Sequence, residues 1–174
     1  MIDELKRHIR DIPDFPKPGI VFKDLTPLLR DPEAFRSLLD ELLLWCQREG
    51  LEPDICAAPE ARGFVFASAL AARLGAGFVP IRKPGKLPAK TTRIEYALEY
   101  GTDALEMHSD AIRPGDRVLL VDDVLATGGT IRACSDLVSR NGGEVCGFLF
   151  AIELGFLGGR QRLEHDVIHS IMHF

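Results

Sequence analysis

Two acidic residues stand side by side at Asp122 and Asp123, directly after the apolar run Val118-Leu-Leu-Val121. A short apolar run of this kind reads as a buried strand, so the two carboxylates fall where that strand ends. Val124-Leu-Ala-Thr-Gly-Gly-Thr130 follows and leads into a helical pattern over 129–140. Glycines let backbone N–H groups close around an anion, threonine hydroxyls add donors, and the helix start adds the positive end of its dipole. Two adjacent carboxylates can accept hydrogen bonds from vicinal hydroxyls such as those of a ribose. Acid pair and phosphate cradle in this order describe a site for a pentose phosphate. The sequence has no G-x-x-x-x-G-K-S/T and no G-x-G-x-x-G after its first strand, so P-loop hydrolysis and dinucleotide-dependent hydride transfer lack their motifs.

A second chemical feature lies upstream. From 61 to 94 there is no acidic residue, while Arg62, Arg73, Arg82, Lys83, Lys86, Lys90 and Arg93 all fall there. The chain as a whole is acidic, with 26 Asp and Glu against 21 Lys and Arg and a formal charge of −5. Positive charge is thus gathered around one stretch, where several cations could meet a di- or polyphosphate. The overall balance does not suggest a nucleic-acid or anionic-membrane surface, and no apolar run reaches the roughly 20 residues of a membrane helix.

These residues need a scaffold. A length of 174 residues and 46% hydrophobic types fit one globular domain, 1–174. Residues 1–10 read as a short amphipathic helix, after which Pro13, Pro16, Pro18 and Gly19 predict an irregular arm within 1–30. Asp31 before Pro32 is an N-cap with proline at the first helical position, and Phe35, Leu38, Leu39, Leu42, Leu43 and Cys46 recur at helical spacing up to Gly50. Apolar runs at 54–58, 77–82, 117–121 and 144–152 alternate with helical patterns at 62–74 and 129–140, which predicts an α/β fold with a central parallel sheet flanked by helices. Ligands of such sheets bind at the carboxyl ends of the strands, where the acid pair falls. The stretch from Pro84 to Arg93, with Gly85 and Pro88 inside it, is the least regular part and a candidate lid.

Cys46, Cys56, Cys134 and Cys146 show no C-x-x-C spacing and have apolar neighbours, so they are expected as reduced, packed thiols. His165, His169 and His173 repeat every four residues beside a predicted strand, where they would not converge on a metal. The first residues lack an apolar export segment, and a cytoplasmic location is expected.

Val118-Leu-Leu-Val-Asp-Asp-Val-Leu-Ala-Thr-Gly-Gly-Thr130 resembles the phosphoribosyl-pyrophosphate (PRPP) signature of the type I phosphoribosyltransferase family. Four further segments point, within that family, to members that use adenine. They are Asp14-Phe-Pro-Lys-Pro-Gly-Ile-Val-Phe-Lys-Asp-Leu-Thr-Pro-Leu-Leu29, Pro59-Glu-Ala-Arg-Gly-Phe64, Phe78-Val-Pro-Ile-Arg-Lys-Pro-Gly-Lys-Leu-Pro88 and Leu98-Glu-Tyr-Gly-Thr-Asp-Ala-Leu-Glu106. The match runs in order from about residue 11 to Arg160.

The resemblance implies a type I phosphoribosyltransferase fold whose N-terminal residues 1–30 form a small hood over the base site. It implies that Asp122 and Asp123 meet the ribose hydroxyls and that Ala126, Thr127, Gly128, Gly129 and Thr130 hold the 5′-phosphate. Arg62, Arg82, Lys83 and Lys86 would face pyrophosphate, some of them across a homodimer. Val21, Phe22, Lys23 and Leu154 would hold adenine, with Phe22 stacking on the base. Residues 84–98 would be a flexible lid loop, with Glu99 and Tyr100 on the mobile loop and Glu99 as the proton-handling acid. Family variants carry Asp-Ser at the Glu60-Ala61 pair and Arg at Lys23, so no side-chain role is drawn for positions 61 and 23. Magnesium would arrive on PRPP rather than on a resident ligand set. The implied reaction gives AMP and pyrophosphate in purine salvage. Its alternatives are a PRPP-sensing regulatory module and a transferase for another base.

Overall fold

The structure is a computed structural model describing residues 2–97 and 101–174. Helix α1 (Ile2–Arg7) leads into an antiparallel ribbon of β1 (Arg10–Pro13) and β2 (Val21–Asp24), which pair Ile12 with Phe22 and Pro13 with Val21. The arm expected to be irregular is therefore a hairpin, and only its tip follows the proline-rich pattern. A short helix α2 (Thr26–Arg30) precedes α3 (Pro32–Arg48). Asp31 caps α3 as expected, its carboxylate accepting from the N–H groups of Glu33 and Ala34 at 3.0 and 2.9 Å.

Then strand and helix alternate: β3 (Ile55–Pro59), α4 (Gly63–Leu74), β4 (Gly77–Ile81), a second hairpin of β5 (Thr91–Ala97) and β6 (Thr102–His108), β7 (Arg117–Leu125), α5 (Gly129–Arg140), β8 (Glu144–Glu153) and β9 (Ile168–His173). Five strands form one all-parallel sheet in the order β4-β3-β7-β8-β9. Strand alternation sorts the core into two layers. Cys56, Ala58, Leu119, Val121, Leu149 and Ala151 pack with the buried faces of α3 and α4. Ala57, Val118, Leu120, Phe148 and Phe150 pack with α5 and the β5–β6 hairpin. Fully burying a side chain such as Leu38, Leu42 or Phe66 contributes roughly 1.5–3 kcal/mol, which holds the helices to the sheet.

The segment 84–98, expected as one lid loop, is divided. Residues 91–97 are strand β5, paired along their length with β6, and residue 98 lies outside the described residues. Thr91, Thr92, Ile94 and Tyr96 are β-branched or aromatic types, and Ile94 is buried, so the period-2 pattern of a half-covered strand overrides the loop reading.

Candidate active site

A cleft of about 450 Å³ opens at the carboxyl ends of the strands. Four segments far apart in sequence line it: β2 with Val21, Phe22 and Lys23; the β3–α4 turn with Glu60, Ala61 and Arg62; β7 and the following loop from Asp122 to Thr130; and Leu154 with Leu157 after β8. The acid pair, the cradle residues Ala126 to Thr130, Arg62 and the four residues expected at the base are therefore brought together. Arg82, Lys83 and Lys86 do not line this cleft. Glu99 and Tyr100 lie outside the described residues.

The cradle has the local structure its composition predicts. Gly128 adopts φ +79°, a left-handed conformation that strains other residues, and it turns the chain into α5. No side chain caps this helix start, so the first-turn amides keep their donors for a ligand at the positive end of the dipole. Thr127 and Thr130 add hydroxyls, and the Thr130 Oγ1 lies 3.5 Å from the Tyr96 hydroxyl.

The two acids have different surroundings. Asp122 Oδ1 accepts from the Asp123 N–H at 2.8 Å, and burial together with the charge of Asp123 pushes the Asp122 carboxyl above its ordinary range. Asp123, only 5% exposed, accepts instead from Arg62 Nε in an ion pair. Gly63 lets α4 begin against this pair, because a Cβ there would sit 2.8 Å from Asp122 Oδ1 and 3.2 Å from the Val121 carbonyl oxygen.

Arg62 connects the two ends of the cleft. While bonded to Asp123, its guanidinium carbon stands 5.3 Å from the Phe22 ring centroid, in cation–π range. Burial disfavours its charge, but Asp123 outweighs that and holds its pKa above the ordinary value. Phe22 also meets Phe15 edge to face at 5.3 Å. Lys23 lines the cleft while its ammonium meets Asp11 at 2.7 Å and stands over the Phe174 ring at 4.4 Å.

The basic stretch is not uncompensated in space, contrary to its reading along the chain. Arg73 pairs with Asp40, Arg82 lies 3.5 Å from Glu60, Lys83 pairs with Asp103, and Arg93 meets Glu95. Asp40 and Asp103 come from other segments, which local charge counting does not see, while Glu60 and Glu95 flank the stretch itself and fold back on it. Glu60 also accepts from the Lys83 N–H at 2.6 Å, and Lys83, hydrogen-bonded to Asp103, holds that carboxyl below its ordinary range. Glu60, Asp103 and Tyr96 were not singled out from the sequence, since each is defined by a partner at least seven positions away.

The other candidates are structural. All four cysteines are free, and burial first of all pushes the Cys46 and Cys56 thiols up to about 12. His169 stacks on Trp45 at 4.9 Å, His165 accepts from the Val167 N–H at 3.0 Å, and His173 approaches Glu153 at 3.7 Å. Among the described residues, no group of three or more His, Cys, Asp or Glu is placed to hold a metal ion.

Residues 29–167 match the phosphoribosyl transferase domain family. A curated adenine phosphoribosyltransferase from Sorangium cellulosum is 57% identical over 98% of this chain and 86% of its own length. The chain belongs to the adenine phosphoribosyltransferase family. The adenine phosphoribosyltransferase of Thermoanaerobacter pseudethanolicus superimposes with a TM-score of 0.96 at 55% identity, covering 100% of both chains. The Saccharomyces cerevisiae member, solved with D-2,5-dideoxy-2,5-imino-altritol 1,6-bisphosphate and adenine, superimposes at 0.93 with 38% identity, covering 98% of this chain and 97% of its own. The family's fold is the α/β architecture described above.

Proposed function

We propose that this enzyme transfers the 5-phosphoribosyl group from PRPP to adenine, giving AMP and pyrophosphate in purine salvage. The observation that carries the reading is the meeting of the acid pair, the uncapped phosphate cradle and the Phe22 edge of the ribbon in one cleft. In the reaction the anomeric C–O bond to pyrophosphate breaks, its electron pair leaving on pyrophosphate, and a ring nitrogen of adenine bonds to the same carbon.

Each residue then has a task. Ala126 to Thr130 hold the 5′-phosphate, and Asp122 and Asp123 accept from the ribose hydroxyls. Arg62 exchanges Asp123 for the pyrophosphate, which frees that carboxylate for the sugar and withdraws the guanidinium from the face of Phe22, where adenine stacks. Leu154 packs on the base, and the main-chain groups of Val21 and Lys23 read its edge. Arg82, Lys83 and Lys86, lying off the cleft, are assigned to pyrophosphate in a homodimer. Each preorganised donor to the leaving charge is worth about 2.7–4 kcal/mol in such sites. Glu99 is assigned the proton of a purine nitrogen, with Tyr100 beside it.

Magnesium fits as an ion carried by PRPP, because the carboxylates lining the cleft already have partners: the acid pair is bonded to Arg62 and to its own backbone, and Glu60 to the Lys83 N–H. When bound, it supplies charge neutralisation on the pyrophosphate oxygens. A cytoplasmic location accords with four free cysteines, three of them buried. Mixing the protein with PRPP, magnesium and adenine should release pyrophosphate and AMP in equal amounts. Omission of adenine should abolish release, and equal release without it would contradict the assignment.

A further inference from the structure

The phosphate cradle is not self-supporting. Behind it runs the segment after β8, a short 3₁₀ turn at Gly155–Leu157 and a second at Gly159–Arg162. The two backbones touch. A Cβ built on Gly159 would collide with the Ala126 carbonyl oxygen and lie 3.0 Å from the Gly128 nitrogen, and a Cβ on Gly128 would lie 2.6 Å from the Gly159 carbonyl oxygen. The two glycines therefore interlock, and Gly159 fixes where Ala126 and Gly128 stand.

The next residue pins this segment to the sheet. Arg160 donates twice to Glu153, at 3.1 Å from Nε and 2.7 Å from a terminal nitrogen, and once to the Ile168 carbonyl at 2.8 Å. Glu153, the last residue of β8 and 7% exposed, also accepts from the Ser170 hydroxyl at 2.7 Å. His173 stands 3.7 Å from the same carboxylate. One guanidinium thus spans β8 and β9 and carries Gly159 on the preceding residue. At the other end of the segment, Arg132 of α5 donates to the Arg162 carbonyl and pairs with Glu164, both at 3.2 Å. None of Gly159, Arg160 and Glu153 lines the cleft.

We propose that Gly159 and Arg160 are positioning residues for the 5′-phosphate: Arg160, through Glu153 and the Ile168 carbonyl, holds Gly159 as a backstop that sets the curvature of the Ala126–Thr130 cradle. A bidentate fork suits this task because it fixes direction as well as distance, which a lysine ammonium does not. The inference rests on the phosphoribosyl reading of the cleft and deepens it, by separating the residues that touch the phosphate from those that hold the loop.

The test uses ribose 5-phosphate as a probe of the cradle alone, with binding measured by calorimetry, beside steady-state KM values for PRPP and adenine. Gly159→Ala should weaken ribose 5-phosphate binding and raise the PRPP KM by about tenfold or more, while the adenine KM moves by less than about threefold. Arg160→Lys, which keeps the charge, should give a smaller change of the same pattern, and Arg160→Gln a larger one. Each variant's thermal midpoint is recorded so that affinity is compared at a temperature where all are folded. Wild-type affinity for ribose 5-phosphate in Gly159→Ala and in Arg160→Lys would overturn the inference, as would equal rises in both KM values. Failure of the wild-type protein to bind ribose 5-phosphate would instead remove the phosphoribosyl reading, and the inference with it.

Discussion

At the scale of single residues, Arg62 decides how the cleft is read. Its partner Asp123 is 61 positions away and its aromatic partner Phe22 lies in another element, so neither contact is visible in the chain's local pattern. The acid pair, by contrast, is legible because its members are contiguous and end an apolar run. The structure adds that the two acids differ. The Asp122 pKa is raised in the folded protein, by burial and by Asp123, so its ionisation withdraws stability as pH rises through the carboxylate range. Asp122→Asn removes that cost and retains an oxygen for the Asp123 N–H, so its thermal midpoint at neutral pH should equal or exceed the wild type's. Asp123→Asn breaks the ion pair with Arg62 and should lower the midpoint modestly. Both variants should nevertheless lose about a hundredfold or more in kcat/KM for PRPP, since each forfeits an acceptor for a sugar hydroxyl. A lowered midpoint in Asp122→Asn with full activity per folded molecule would make that carboxylate a structural one.

At the scale of elements, α3, α4, α5 and four of the five strands of the parallel sheet were legible to within a few residues, because their apolar runs and caps are local, while the edge strand β9 was read without bounds. Asp31-Pro32 marked the start of α3, and Gly50 lies just past its end. The two hairpins were not legible. Strand β1 is only four residues and contains Asp11 and Pro13, both poor strand formers, and it exists because the chain returns at Val21–Asp24 to pair with it. Strand β5 was hidden inside a stretch judged by its glycine and prolines. The charge cluster misled for a related reason, since sequence proximity of cations says nothing about acids delivered by other elements. The link between β8 and β9 gives a pH-dependent prediction. Burial alone would raise the Glu153 carboxyl, but hydrogen bonds from Arg160 and Ser170 prevail and hold it below the ordinary value of 4.5. A group with a lowered folded pKa adds stability above its unfolded pKa and loses it as pH falls through the folded one. Glu153→Gln should therefore lie well below the wild type in thermal midpoint at pH 7, with the gap closing progressively below about pH 4.5. A gap that stays constant down to pH 3 would show that the ion pair is not what Glu153 contributes.

At the scale of the whole molecule, the sheet supplies a rigid floor and the N-terminal ribbon supplies one wall of the cleft. Adenine presents an exocyclic amine donor beside an unprotonated N1 acceptor, whereas hypoxanthine and guanine present a carbonyl acceptor beside an N1–H donor. On the proposed assignment, the main-chain groups of Val21 and Lys23, on a strand paired with β1, match the first arrangement and not the second. A wrong base leaves buried polar groups unpaired at about 1–3 kcal/mol each, so one mismatch costs roughly ten- to a hundredfold and two cost more. The most direct test is kcat/KM for adenine, hypoxanthine, guanine and orotate at saturating magnesium-PRPP. Adenine should exceed each of the others by far more than about tenfold, with AMP as product; turnover of hypoxanthine or guanine within that factor would contradict the assignment of the Val21–Lys23 edge to adenine.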